Sequence, residues 1–143
     1  MQPDISIDES HTFDMAEVEA LYRAVGWSTY ADDLTTLVAA LKGSSRVVVA
    51  RRGGRLVGLA RVISDGASIC YLQDVLVDPG EQRCGVGTAL VHSAFGPYAA
   101  VRQKVLLTDD EPGQRAFYES LGFRETRDFG VGSLRAFVLF DSP

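Results

Sequence analysis

Cysteine and histidine are scarce in this chain of 143 residues, with two of each. Cys70 and Cys84 make no disulfide framework, and with His11 and His92 isolated in sequence there is no metal-ligand spacing. Cys84 sits in a glycine loop, where it reads either as a nucleophile or as an incidental small side chain; no histidine stands near it in sequence. Long apolar runs are missing as well. None reaches the ~20 residues that span a bilayer, and the polar start Met1-Gln2-Pro3-Asp4 carries no signal-peptide core. A cytoplasmic location without a membrane partner is the default expectation. Positive charge is in deficit, with 14 Lys and Arg against 19 Asp and Glu and a net charge of −5. That balance argues against nucleic acid as a partner and is compatible with a cationic substrate such as an amine. Repeats, low-complexity tracts and an interdomain linker are absent, so residues 1–143 read as one domain, long enough to bury a hydrophobic core.

The apolar residues that are there switch between two periods. Ile5 and Ile7 alternate with polar residues and predict a short first strand. Thr12 or Asp14 is placed to cap a helix, with Glu17 where a capping box needs it, and Met15, Val18, Leu21, Tyr22 and Val25 hold helical spacing up to Gly26. Trp27-Ser28-Thr29-Tyr30 leads to a second helix with Leu34, Leu37, Val38 and Leu41 on one face. Residues 47–50 and 56–63 then flank Arg52-Gly53-Gly54-Arg55, a hairpin signal. Ser64-Asp65-Gly66-Ala67 turns into a long strand at residues 69–77. Arg46, Arg51, Arg52, Arg55 and Arg61 read as solvated strand edges. A helix from Gly85 to about Ala94, a strand at residues 105–108 and a helix from Pro112 to Gly122 follow. Two closing strands, from Phe123 and at residues 134–140, flank Gly130-Val131-Gly132-Ser133. The order β-α-α-β-β-β-α-β-α-β-β predicts an α/β fold, a central mixed, mostly antiparallel twisted sheet of about seven strands with helices on both faces.

One stretch carries chemistry. Val75-Leu76-Val77 ends at Asp78-Pro79-Gly80, and Gln82-Arg83-Cys84-Gly85-Val86-Gly87-Thr88 opens a helix. Glycines where a strand feeds a helix leave backbone N–H groups uncovered at the positive helix end, which suits a phosphate. A P-loop needs Lys after its last glycine, and Thr88 stands there instead. A dinucleotide fingerprint needs a third glycine, and Leu90 occupies that place. The remaining reading is the Gln-x-x-Gly-x-Gly loop of acyl-CoA-dependent N-acyltransferases, matched by Gln82, Gly85 and Gly87.

One crossover later comes Ala116-Phe117-Tyr118-Glu119-Ser120-Leu121-Gly122-Phe123. With Asp74-Val75-Leu76-Val77-Asp78-Pro79 and the glycine loop, the chain resembles the GNAT superfamily of acetyl-CoA-dependent N-acetyltransferases over about residues 46–123. Leu21-Tyr22-Arg23-Ala24-Val25-Gly26-Trp27 and Arg61-Val62-Ile63-Ser64-Asp65-Gly66 are further similar to a small subgroup that includes the plastid serotonin-type enzymes. The resemblance implies that backbone groups of Val75 and Val77 hold the pantetheine arm of acetyl-CoA. It implies that the amides of Gln82, Arg83, Cys84, Gly85, Val86, Gly87 and Thr88 cradle its pyrophosphate, that Phe117 joins the cofactor site, and that the N–H of Leu76 or Val77 polarises the thioester. Tyr118 matches the family's general acid. Asp74 is the candidate base, directly or through a water; many relatives carry Glu where this chain has Gln73, which cannot take a proton, and that departure weakens the case for any dedicated base. Trp27, Tyr30, Asp65 and Tyr71 are candidates to line the pocket of a small-molecule or peptide amine, each aromatic reading equally as core. A homodimer with residues 136–140 at the interface is the expectation by analogy. A non-catalytic acyl-CoA-binding module, a sensor or partner subunit, is the alternative function.

Overall fold

The valine- and leucine-rich segments pair into a five-stranded sheet in the spatial order β1-β2-β3-β4-β5. These strands are β1 (Ile5–Glu9), β2 (Arg46–Arg52), β3 (Arg55–Ser64), β4 (Ile69–Val77) and β5 (Gln103–Leu106). The first four run antiparallel, and β5 joins β4 in parallel. The computed structural model describes residues 4–132 and 134–141, so expectations resting on Met1, Gln2, Pro3 and Ser133 lie outside the described residues. Gly53 and Gly54, at φ +56° and +88°, make the tight β2–β3 turn, where two successive positive φ values match the twist of a hairpin.

β2 and β3 lie inside the sheet, so the arginines read as solvated edges have a different role. Arg61 is buried, and Arg46, Arg51 and Arg52 are partly buried in ion pairs with Glu9, Glu17 and both Asp4 and Glu81. Each long side chain covers apolar surface with its stem while a carboxylate meets its head.

Helices cover both faces. α1 (Met15–Ala24) is capped by Asp14, whose side chain accepts from the Ala16 amide at 3.0 Å. Glu17 turns to Arg51 rather than back to the cap. A short α2 (Ser28–Ala31) occupies the aromatic link, and α3 (Leu34–Gly43) is capped by Asp33. Val18, Leu21, Leu37 and Leu41 of these helices pack on Val47, Val49, Leu59 and Leu76. Burial stabilises by roughly 1.5–3 kcal/mol per large aliphatic side chain. Successive strand residues face opposite sides, and next to Leu59 a Cβ on Gly58 would stand 2.9 Å from Leu90 of α4 (Val86–Phe95). The sheet is thus covered by α1 and α3 on one face and by α4 on the other.

By contact, Met1–Leu107 and Thr108–Pro143 form two compact units. The second holds α5 (Pro112–Ser120) and a 3₁₀ turn at Thr126–Phe129. The two closing strands expected from Phe123 and at residues 134–140 do not form among the described residues, so the sheet has five strands rather than seven. After Phe123, Arg115 gathers Glu119, Glu125 and Asp128, and Arg124 lies over the Phe129 ring at 4.7 Å, which closes this stretch into a turn. An alternating pattern makes a strand only where a neighbour supplies the ladder, and residues 134–140 join none here.

Candidate functional site

β4 organises the site. Its burial alternates strictly along its length. Pairing with β3 runs through Leu59↔Leu76 and Arg61↔Asp74, then shifts so that Val62 meets Leu72, which leaves Gln73 as the extra residue of a bulge. On the other side, pairing with β5 ends at Leu72↔Leu106. Bulge and end of pairing coincide, and no β5 residue pairs with residues 73–77.

The direction of the free groups follows from one hydrogen bond. The Asp78 amide donates to Val57 O at 2.8 Å, so position 78 faces β3. Backbone groups alternate sides along a strand. Leu76 and Asp74 therefore also face β3, and Val75 and Val77 aim N–H and C=O at the edge that β5 has left. The Val77 carbonyl accepts from Gln82 Nε2 at 3.1 Å, consistent with that direction. The oxyanion role considered for Leu76 does not fit, because its amide lies in the β3 ladder; Val77 keeps that role as a candidate.

The loop beyond β4 is held at its start and open at its end. Glu81 is buried against Arg52, two contacts at 2.7 Å, and that guanidinium holds its carboxyl below the usual carboxylate range. Arg83 then takes φ +66°, which side-chain-bearing residues rarely adopt, and Gly85 follows at +83° as the N-cap of α4. Strain of this kind persists where the surroundings enforce it and clusters at ligand sites. No side chain caps α4, and its first turn has no acidic residue. The first intrahelical bond is Ala89 N–H to Gly85 O at 3.1 Å, so the amides before it stay available. Gln82, Arg83 and Gly85 are exposed, Gly87 and Thr88 are half-buried, and Val86 is buried in the core. The half-buried Cys84 thiol contacts only the Gln82 carbonyl, at 3.6 Å, with no base beside it among the described residues, which favours its incidental reading. An open strand edge leading into a row of uncapped amides suits a ligand with an amide-bearing arm and a phosphate end.

The sequence profile of the GNAT acetyltransferase domain matches residues 43–125. The chain belongs to the GNAT acetyltransferase family. Among similar proteins, the N-acetyltransferase ycf52 of Pyropia yezoensis, itself uncharacterised, is 28% identical over 129 residues, covering 87% of this chain and 73% of that protein. A GNAT-family acetyltransferase structure from Streptococcus pneumoniae superposes with TM-score 0.83 at 28% identity, over 97% of this chain and 99% of that one. The aminoglycoside N-acetyltransferase AAC(6')-Iy, solved in complex with CoA, shares the fold at TM-score 0.71 and 17% identity, over 95% and 93% of the two chains.

Within this GNAT frame the remaining candidates separate. Asp74 is only 2% exposed, and its Oδ2 accepts from Arg61 Nε at 2.6 Å and from the Tyr22 hydroxyl at 2.9 Å. That is a fixed buried anion rather than a base open to an amine. Burial, with the Asp74 charge beside it, raises the Tyr22 phenol far above its usual range. Burial disfavours the Arg61 charge, yet Asp74 outweighs this and the guanidinium holds its proton more tightly than usual. Tyr22 and Arg61 were not among the candidate residues. Arg61 carried a signal: a charge inside the apolar run of residues 56–63 demands a buried partner.

Trp27 and Tyr30 do come together. Their rings lie 6.3 Å apart, Tyr30 stands edge-on to Tyr22 and Trp27 is tilted against it, and the Tyr30 hydroxyl accepts from Gln73 Nε2 at 3.3 Å. Tyr71 is half-buried on β4, its phenol raised by burial and by its neighbours Tyr30 and Asp74. Asp65 is occupied otherwise. Its carboxylate accepts from the Ser68 hydroxyl and the amides of Ala67, Ser68 and Ile69, which builds the β3–β4 turn and holds its pKa far below the usual value. A substrate contact would have to compete with all of these. In the second unit Tyr118 is half-buried, edge-on to Phe117 and Phe123 at 4.9 and 5.9 Å. Burial lifts its phenol to about 12, and its hydroxyl makes no hydrogen bond to the described residues. No group of metal ligands is found among the described residues, and no helix there is long and apolar enough to cross a membrane.

Proposed function

We propose that this GNAT protein transfers the acetyl group of acetyl-CoA to a primary amine, by direct attack within a ternary complex. The observation that carries the reading is the coincidence at Gln73: β4 bulges there, loses β5, and turns the backbone groups of Val75 and Val77 to an open edge. A pantetheine arm adds to such an edge as a further strand does, through main-chain hydrogen bonds. The uncapped amides of residues 82–88 then receive the pyrophosphate. The CoA complex of the AAC(6')-Iy neighbour supports the same use of the fold.

Acetyl-CoA supplies an activated acetyl thioester. Val77 N–H donates to the carbonyl oxygen as charge builds there. Tyr118, with its phenol near 12 and so fully protonated at neutral pH, donates to the departing thiolate. Trp27, Tyr30 and Tyr71 present an aromatic wall to the amine. With Asp74 committed to Arg61 and Gln73 unable to take a proton, the amine loses its proton to water.

The test is thiol release from acetyl-CoA across a panel of small amines and peptides. Turnover with at least one acceptor is expected. Its kcat/KM should rise about tenfold per pH unit below the amine's own pKa near 10, and Tyr118→Phe should lower kcat by about 100-fold. A plateau that begins near pH 5 would restore a carboxylate base. The same absence of a free base favours the alternative, a GNAT-fold module that binds acyl-CoA without turning it over. CoA binding in calorimetry, with no acetylation of any amine, peptide or lysate protein, would select it.

A further inference from the structure

Consecutive side chains of a strand point to opposite faces of a sheet, yet Gln73 and Asp74 point to the same one. Asp74 accepts from the Tyr22 hydroxyl of α1 at 2.9 Å, and Gln73 Nε2 donates to the Tyr30 hydroxyl of α2 at 3.3 Å. The bulge is the cause: pairing with β3 skips from Arg61↔Asp74 to Val62↔Leu72, and the extra residue turns with its neighbour. A carboxamide and a carboxylate therefore stand side by side on the helix-covered face, just where β5 ends its pairing with β4.

Only the carboxamide is available to a ligand. Asp74 is buried and paired with Arg61. Gln73 is half-buried, and its bond to Tyr30 uses the nitrogen and leaves Oε1 with no hydrogen bond to the described residues. The charged and titratable groups facing it are Tyr22 from α1, Tyr30 from α2, Arg61 from β3, and Tyr71 and Asp74 from β4. An ammonium ion entering here exchanges its hydration for no free counter-charge, and a partly buried charge is held only where it is paired. Ring faces attract a cation, but Tyr22, Trp27 and Tyr30 pack against one another, with centroids 5.8, 6.1 and 6.3 Å apart, which engages ring surface inside the cluster.

We propose that Gln73 Oε1 accepts an N–H of the acceptor as the uncharged free amine, with Tyr30 holding the carboxamide in place, and that the site thereby selects amines of low basicity, an α-amino group over a lysyl ε-amino group. The inference rests on the acetyl-transfer reading for the ligand being an amine. The ammonium proton passes to solvent before the amine enters, and the nitrogen lone pair stays free for the acetyl carbon while Oε1 holds the N–H. The cost of deprotonation thus falls on binding rather than on turnover. An α-amino group has a pKa of about 7.7–8.0 and a lysyl ε-amino group about 10.4. At pH 7 roughly one in ten of the first is free, and fewer than about one in a thousand of the second.

Two isomers test this: Nε-acetyl-lysine amide, with its α-amine open, and Nα-acetyl-lysine amide, with its ε-amine open. Calorimetry on the full chain with CoA present, repeated in buffers of different ionisation enthalpy, counts the protons released on binding. At pH 6.5 about one proton should leave per α-amine isomer bound, and at pH 7 that isomer should bind on the order of 100-fold more tightly than the other. Gln73→Glu supplies an anion at the same place; its proton release should fall towards zero and its preference for the α-amine should shrink. Should that variant lose the parental far-UV circular dichroism, the parent's own proton count decides. Tyr30→Phe should weaken binding by about fivefold with the count unchanged. No proton release by the parent, equal affinity for the isomers, an unchanged count in a folded Gln73→Glu, or binding of neither isomer would each overturn the proposal. No thiol release is read in these titrations. Proton release on binding without any acetylation would strike the acetyl-transfer reading and leave this one standing, and turnover without proton release on binding would do the reverse.

Discussion

Two polar regions meet on β4, and they are built in opposite ways. The Tyr22–Asp74–Arg61 cluster is buried, and its polar groups are satisfied within the chain. The stretch from Val75 to Thr88 is half open, and its backbone groups point to an unpaired edge or stand uncapped at a helix start. A buried charge without a partner costs several kcal/mol, so the first region has no capacity left for a ligand. The second keeps capacity because its amides reach solvent and lose little while they wait. The sheet joins the two: the ion pair sits at the first β3–β4 rung past the bulge, where β5 has already let go. One region fixes the backbone so that the other can remain unfilled.

The largest effect should come from cutting the closed region. Asp74→Asn leaves the Arg61 charge buried without its anion, which costs roughly 3–5 kcal/mol. At about 2–4 °C per kcal/mol for a chain of this size, the thermal midpoint should fall by roughly 10 °C. The residual enzyme, assayed well below that midpoint, should keep the same pH profile. A variant that melts like the parent while losing turnover would instead make Asp74 a reacting base and erase the contrast between the two regions.

Next in size is a substitution in the open region. Gly85 holds φ +83° at the head of α4, where a β-branched side chain is strained and crowds the amides. Gly85→Val should weaken CoA binding by about 100-fold, equal to about 2.7 kcal/mol, as read by calorimetry. The melting temperature should shift less than for Asp74→Asn. Parental affinity would take the loop out of the ligand site.

Much of this division can be read from residue order alone. The glycine loop, its helix, the Arg52–Arg55 hairpin and the Phe117–Phe123 helix depend on local chemistry, which a sequence states directly: turn glycines, caps and periodicity. What stayed hidden depends on long-range pairing. Tyr22 lies 52 positions from Asp74, and Arg61 lies 13 positions from it. The charge inside the apolar run of residues 56–63 marks Arg61 as needing a buried partner, but residue order does not name Tyr22 and Asp74 as its company until the fold joins them. The bulge at Gln73 is likewise a property of two strands, and so is the register, fixed by the Asp78 amide on Val57 O, that leaves Val77 rather than Leu76 with the free amide. The missing closing strands have the same cause: residues 134–140 have the pattern of a strand, but a pattern names no partner. Asp65 is the converse case, since its turn is local and already uses its acceptor oxygens.

The smallest effect should mark the boundary between the regions. Glu81 belongs to the closed side, salt-bridged to Arg52, yet it directly precedes Gln82, where the open amides begin. Its carboxyl is held below the ordinary value by Arg52. A group with a depressed folded pKa adds stability that is fully present above its unfolded value near 4.3. That stability is lost as pH falls through the lower folded value. Glu81→Gln should therefore lower stability slightly at pH 7 and flatten its fall between about pH 4.5 and the folded value, as followed by urea unfolding at a series of pH values. CoA affinity should change less than in Gly85→Val, because the bridge positions the loop without touching the ligand. An affinity loss as large as that of Gly85→Val would move Glu81 across the boundary, and the anchor and the cradle would then be a single device.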